Sequence, residues 1–223
     1  GRLDVVQKAQ PYKYQVYNEI KRGILKGQYV PGDVLTERRL SEEMGISRTP
    51  IREAMQMLEH DGWLVVETYK GALVREFDLE YVLEVLKIRK SLEMLAVEDA
   101  VQNAAAPDLE ELEEIVCCQR DMLNHYDEYD FIEMDRKFHQ KIYELSHNRT
   151  LQGLLSNFND IISFFGIRAL QKKERKLTTM DEHQNILNAM KSRDAGAAVR
   201  AMEEHMTETF NNIENYMKSR RNH

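Results

Sequence analysis

Gly45 limits how the first third of this chain can fold more than any other residue. It stands between two short runs of helical spacing, one opened by Thr36 and the other by Ser47. Thr36 suits the start of a helix through Glu37, Arg38, Arg39, Leu40, Ser41, Glu42, Glu43 and Met44, because its hydroxyl accepts an N–H that the first turn leaves unpaired. Gly45 then takes the left-handed conformation in which helices commonly end, and Ser47 caps the next helix. Two short helices joined by a tight glycine-containing turn make a helix-turn-helix.

Advancing about 100° per residue divides the second helix into two faces. Ile51, Ala54, Met55 and Leu58 fall on one, and Thr49, Arg52 and Gln56 on the other. Arg48 sits at the tip, beside the positive end of the helix dipole, where a phosphate or a base edge approaches. Exposed arginines also suit a solvated bundle helix, but the next residues tell against that. His60-Asp61-Gly62-Trp63 ends the helix, Leu64 to Thr68 reads as a β-branched strand, Tyr69-Lys70-Gly71 as a turn, and Ala72 to Arg75 as a second strand. That hairpin is a wing with Lys70 at its tip, so the order of elements predicts a winged helix.

Pro31-Gly32-(x2)-Leu35, Glu37-Arg38-Arg39-Leu40-Ser41, Met44 to Ala54 and Leu58-(x3)-Gly62 together resemble the GntR family of bacterial transcription regulators. The resemblance implies DNA contacts by Arg38, Arg48 and Arg52 and by the wing around Lys70 and Gly71. Ser47 at the tip and Thr49 and Gln56 on the open face complete the expected DNA-facing set. A guanidinium fork matches the O6 and N7 of guanine, worth roughly 1–3 kcal/mol of discrimination.

A net charge of −7 sits badly with DNA binding until the chain is divided. Residues 1–77 hold 12 Lys/Arg against 11 Asp/Glu, and residues 78–223 hold 19 against 27. The acidic excess lies in the second part, and tight binding falls to the placement of the arginines and to doubling in a homodimer. No apolar run reaches about 18 residues, and the opening Gly-Arg-Leu-Asp-Val-Val lacks a basic-then-apolar signal pattern. The two cysteines, adjacent at Cys117 and Cys118, offer no disulfide framework. A reducing cytoplasm is the expected compartment. One of that pair is expected to face the core, and neither to serve as a redox sensor, because neighbouring cysteines close only a strained ring.

The expected fold is mainly α. Residues 1–10 read as a loose polar tail, residues 1–77 as the winged helix-turn-helix domain, and residues 78–223 as an all-helical bundle of six to seven helices. In the bundle, Asp78 opens a helix to about Asn103, Ala105-Ala106-Pro107-Asp108 one to about Tyr126, and Tyr129-Asp130 one to His147. Asn148 opens one to about Lys172, Thr178 or Thr179 one to Lys191, and Asp194 the last. The basic run Lys172 to Lys176 reads as a solvated hinge, and the eleven methionines as core filler.

Asp135 and His139, four apart, share a face with Phe131, Phe138, Ile142 and Leu145. His183 lies with Ile186, Leu187 and Met190, and His205 at the margin of Val199, Met202, Met206 and Phe210. Buried polar groups need partners. The residues alone leave two solutions open: a divalent cation held by three imidazoles and a carboxylate, or a metal-free network of His–Asp hydrogen bonds. Glu84-(x4)-Arg89-(x3)-Glu93, Asp135 to His139, Asn148, Glu182-His183 and His205-Met206 further resemble the FCD effector domain that accompanies the GntR head in the FadR subfamily. That resemblance implies a divalent metal, zinc or nickel, on Asp135, His139, His183 and His205. It also implies a small carboxylate effector, assisted by Arg89 and, more weakly, Arg168.

The function that follows is a ligand-responsive regulator, a repressor, on a near-palindromic double-stranded operator. One alternative is a metal-dependent hydrolase, since such a metal activates water. No Ser or Cys nucleophile stands in a recognisable setting, however, and only Glu144-(x2)-His147 fits a di-iron pattern. Another is an acyl-CoA-responsive regulator without metal, against which the full ligand quartet stands.

Overall fold

The structure, a computed structural model, describes residues 11–124, 128–170 and 172–221. The tail expected over residues 1–10 and the helix end expected near Tyr126 lie outside the described residues. The chain divides into two compact units between Glu76 and Phe77.

The first unit begins with α1 (Tyr12–Lys26), which buries Val16, Ile20, Ile24 and Leu25. Then come β1 (Val34–Leu35), α2 (Glu37–Met44), α3 (Arg48–His60), β2 (Leu64–Glu67) and β3 (Gly71–Val74). Thr36 Oγ1 accepts from the Arg39 N–H at 3.2 Å, which starts α2. Gly45 ends it at φ 65°. Ser47 occupies the N-cap position of α3, but its hydroxyl makes no capping bond. The face expected to be apolar is buried: Ile51, Ala54 and Leu58 are fully enclosed, while Arg48, Thr49, Arg52 and Gln56 are exposed. The wing pairs β2 with β3 antiparallel, Leu64 opposite Val74 and Glu67 opposite Gly71. The spacing had not indicated β1, a two-residue strand that adds to the other edge of β3 with Val34 opposite Leu73.

The second unit holds six helices among the described residues: α4 (Leu79–Asn103), α5 (Ala106–Asp121), α6 (Glu128–Leu145), α7 (Arg149–Ala169), α8 (Lys173–Lys191) and α9 (Ala195–Arg221). Asp78 caps α4 through the Tyr81 N–H at 2.7 Å, and Asn148 caps α7 through Leu151 at 3.0 Å. α4 packs along α9 and α6, and α8 along α9 and α5. Four methionines, Met180, Met190, Met202 and Met206, are buried in the common core with Phe131, Phe138 and Tyr143. None of the described helices is long and apolar enough to cross a membrane.

Further expectations fail in the second unit. The run Lys172 to Lys176 is not a hinge, because α8 already begins at Lys173. Thr178 and Thr179 do not cap it; both hydroxyls donate back to the Arg175 carbonyl, at 3.0 and 2.8 Å, a bond open to Thr inside a helix. Cys117 and Cys118 are both exposed, since the inward positions of α5 go to Leu109, Leu112, Val116 and Gln119.

Candidate functional site

Four side chains from three helices of the second unit converge. Asp135 and His139 come from α6, His183 from α8 and His205 from α9. One ligand-type atom from each lies within 4.8 Å of all the others. His139 Nε2 stands 3.2 Å from His205 Nε2, which stands 3.3 Å from His183 Nε2. Asp135 Oδ1 is 3.0 Å from His183 Nε2 and 3.8 Å from His139 Nε2. The three imidazoles are buried, and Asp135 keeps a fifth of its side-chain surface open.

The outer nitrogens decide what the inner ones present. His139 Nδ1 donates to Glu93 Oε2 at 3.1 Å and His205 Nδ1 to Glu182 Oε1 at 2.7 Å. His183 Nδ1 meets Gln119 Oε1 at 3.0 Å, while Gln119 Nε2 donates to the Phe131 carbonyl at 3.2 Å. That second bond fixes which end of the amide is oxygen, so His183 must carry its proton on Nδ1. In neutral imidazoles so held, all three Nε2 lone pairs point inward. His205 Nε2 thus faces two other acceptors a little over 3 Å away, which repel it, and Asp135 adds a fourth. Ligand atoms around a tetrahedral ion at ~2.0–2.1 Å stand about 3.3 Å apart, close to the 3.2 and 3.3 Å that separate His205 Nε2 from the other two ring nitrogens. The donor set and its outer partners therefore fit a divalent ion.

Electrostatics agree. Burial, helped by the neighbouring imidazoles, pushes the His205 pKa well below the ordinary value and pushes His183 down too, although Asp135 pulls the latter up. Burial opposes ionisation of Glu93, yet His139 and Arg89 hold it down at about 2. The same contest leaves Asp135 far below the usual carboxylate range, through His139, His183 and His205.

Beside the quartet lies a cavity of about 40 Å³, lined by Arg89, Asp135, His139, Asn159, Arg175 and His205 among others. Arg89 is buried, with Nε 3.1 Å from Glu93 Oε1 and Nη2 3.3 Å from Asn159 Oδ1. It thus makes the helix ion pair and also faces the cavity. Arg168 is not among the lining residues; it donates to the Phe164 carbonyl at 2.6 Å and lies over that ring. Arg175 lines the cavity instead, forked onto Glu182 at 2.6 and 3.1 Å. Its place inside a basic run concealed it. Gln119, Glu182 and Asn159 carried no spacing signal of their own.

In the first unit the expected DNA-facing residues lie on exposed surface. Arg52 is forked onto Glu37 at 2.9 and 3.0 Å, and Arg38 donates to Glu42 at 3.0 Å. Lys70 at the wing tip pairs with Glu67 at 2.7 Å, between Tyr69 and Gly71, both at positive φ. Ser47, Arg48, Thr49 and Gln56 are exposed around the start and open face of α3.

A winged helix-turn-helix joined to a helical bundle with a buried His–Asp cluster defines a class of transcription regulator. Residues 13–74 match the bacterial regulatory proteins of the gntR family, and residues 84–208 match the FCD domain. The chain is 34% identical to the HTH-type transcriptional regulator YdhC of Bacillus subtilis (strain 168), over 96% of this chain and 94% of that one. It is 24% identical to the HTH-type transcriptional repressor RspR of Escherichia coli (strain K12), over 92% and 90%. The solved structure of E. coli McbR/YncC shares the fold at a TM-score of 0.83 and 24% identity, covering 93% of this chain and 99% of that one. This chain belongs to the GntR family, with an FCD domain as its second part. Members of that family are DNA-binding regulators, not enzymes, which sets the hydrolase reading aside.

Proposed function

We propose that the protein is an effector-gated transcriptional repressor of the FadR subfamily, acting in the cytoplasm as a homodimer on a near-palindromic operator. Residues 1–77 serve as the DNA-binding domain and residues 78–223 as the effector-binding and dimerisation domain. Asp135, His139, His183 and His205 hold a divalent ion, zinc or nickel, for which three imidazoles and a carboxylate are the usual donors. A small organic acid binds beside it, with Arg89 turned toward it; Arg168, bonded at Phe164, has the weaker case. The observation that carries this reading is the set of Nδ1 bonds that turns three lone pairs onto one point.

A 40 Å³ cavity supports a small effector over an acyl chain, since one water already needs ~10–15 Å³. Ile88 and Leu95, two turns apart on α4, stay exposed and suit a dimer seam. Two relatives are named as repressors, RspR and the gluconate operon repressor of B. subtilis. DNA contacts fall to Arg38, Ser47, Arg48, Thr49, Arg52, Gln56, Lys70 and Gly71. Effector binding shifts the balance between arrangements of the two heads that do and do not match paired half-sites.

Native mass spectrometry and a gel shift on DNA upstream of the gene test this together. The expected result is a dimer with one divalent ion per chain and a shifted fragment. Replacing His139, His183 and His205 with Ala removes the ion. A full equivalent of metal in that variant overturns the ligand assignment, and a monomer that shifts no fragment overturns the regulator.

A further inference from the structure

We infer that the cavity takes a singly charged short-chain acid carrying a second oxygen, and that Asn159 reads that oxygen. This rests on the metal reading above and narrows the ligand class.

Asn159 is 2% exposed and lines the cavity. Its Oδ1 accepts from Arg89 Nη2 at 3.3 Å. The opposite amide orientation would set donor against donor, so Nδ2 is fixed on the other side. Among the described residues Nδ2 has no hydrogen-bond partner. A buried donor without a partner is costly, and a ligand acceptor satisfies it. A site built around such a donor rejects analogues that lack the matching oxygen.

Charge sets the rest. The two guanidiniums at the cavity are already matched, Arg89 by Glu93 and Arg175 by Glu182. That leaves Asp135, whose ion-pair partners among the described residues are the imidazoles of His139 and His183. With neutral imidazoles the surroundings carry one net negative charge, and a divalent ion turns this to one positive. A single carboxylate then closes the balance, whereas a dicarboxylate leaves an excess charge in a buried place. Ile132, Ile162, Leu170 and Ile213 make part of the remaining wall apolar, and Ser163, Thr179, Thr209 and Asn212 add neutral polar groups but no positive charge to balance a second carboxylate. The small volume limits the chain to a few carbons.

Three-carbon probes separate these features: propanoate, 2-hydroxypropanoate and propanedioate, titrated by calorimetry into metal-loaded full-length protein. The expected order puts 2-hydroxypropanoate about tenfold tighter than either of the others. In Asn159→Ala the advantage over propanoate disappears. In Asn159→Asp, which keeps the acceptor for Arg89 but adds a charge, 2-hydroxypropanoate binds at least tenfold more weakly. Metal content of each variant, read by elemental analysis, reports whether the site has survived. Tighter binding of propanedioate, or an Asn159→Ala protein with full metal that still prefers the hydroxy acid, overturns the inference and leaves the metal reading standing. A wild-type protein without metal overturns both.

Discussion

Gln119 holds His183 by its Nδ1 proton at 3.0 Å, and it does so with a neutral amide where His139 and His205 lean on carboxylates. The amide cannot accept the proton as a carboxylate can. His183 is therefore the ring whose orientation depends most on a single hydrogen bond, and that bond depends on the Phe131 carbonyl behind it.

Gln119→Met keeps most of the volume and removes both bonds. Metal affinity is expected to fall 10–100-fold, the usual effect of losing an outer partner of a metal-binding His. Competition against a coloured chelator measures this, with the circular dichroism of the helices unchanged. An affinity within twofold of wild type would show that His183 is oriented without Gln119.

The placement of the quartet was legible because helical periodicity alone turns Asp135, His139 and His183 toward apolar neighbours, with His205 at the edge of its stripe. Gly45 and Thr36 were equally plain, since each answers a local backbone need. What stayed hidden depends on distance across the fold. Arg175 reads as one cation among five, and only its reach to Glu182, seven residues on, takes it out of water. Gln119 and Asn159 are amides without a titration or spacing signal, and their roles exist only once α5 meets α6 and α8, and α7 meets α4. The early start of α8 was missed because a Thr hydroxyl serves either as a cap or as a donor to the preceding turn. Here both threonines do the second.

Acid should destabilise the metal-free protein in two stages. His183 and His205 have pKa values below the ordinary 6.5 because burial disfavours their charged forms. Between those lowered values and 6.5 the unfolded chain binds protons that the fold refuses, so their contribution is complete above about pH 6.5 and is lost as pH falls. Glu93, held at about 2 against 4.5, contributes fully above 4.5 and loses that contribution toward pH 2. Asp135 acts in the same sense. Glu182 works against them, since burial raises its pKa and favours its protonated form. Each group in its window contributes a slope of up to about 1.4 kcal/mol per pH unit. Melting curves of chelator-treated protein from pH 7.5 to 4 should fall steadily from near 6.5, and at least as steeply with metal restored, because an ion held on the imidazoles excludes protons from them as well. A flat profile between pH 7 and 5 would contradict the burial of neutral imidazoles.

Gly45 has open space around the position of a β-carbon, yet its φ of 65° is one that side-chain-bearing residues adopt at a cost. Gly45→Ala should therefore destabilise the first unit by ~1–2 kcal/mol through backbone strain alone. Gly45→Asn should cost less, because Asn tolerates that region. Urea unfolding monitored at Trp63, which is buried in this unit, distinguishes them. Equal stabilities for Ala and Gly would mean that the turn relaxes to another conformation.

Arg52 presents its fork to Glu37 through Nε and Nη2, the same pair of donors that a guanine edge would take. The pair is 56% and 33% exposed, so it stabilises the fold by at most about 1 kcal/mol. Its main effect is on the guanidinium, which it holds in place in free protein while competing for the same donors on DNA. Arg52→Ala should lower affinity for the operator by roughly 5–150-fold, the ~1–3 kcal/mol of one forked base contact, and weaken binding to scrambled duplex by less, since there only the charge is lost. Glu37→Gln keeps the shape and removes the charge. It should strengthen binding to every duplex, since one repulsive carboxylate is gone from beside the phosphates, and reduce the ratio of operator to scrambled affinity several-fold. Fluorescence anisotropy at one fixed salt concentration gives both numbers for each variant. An unchanged ratio in Glu37→Gln would mean that Arg52 finds its base without being held.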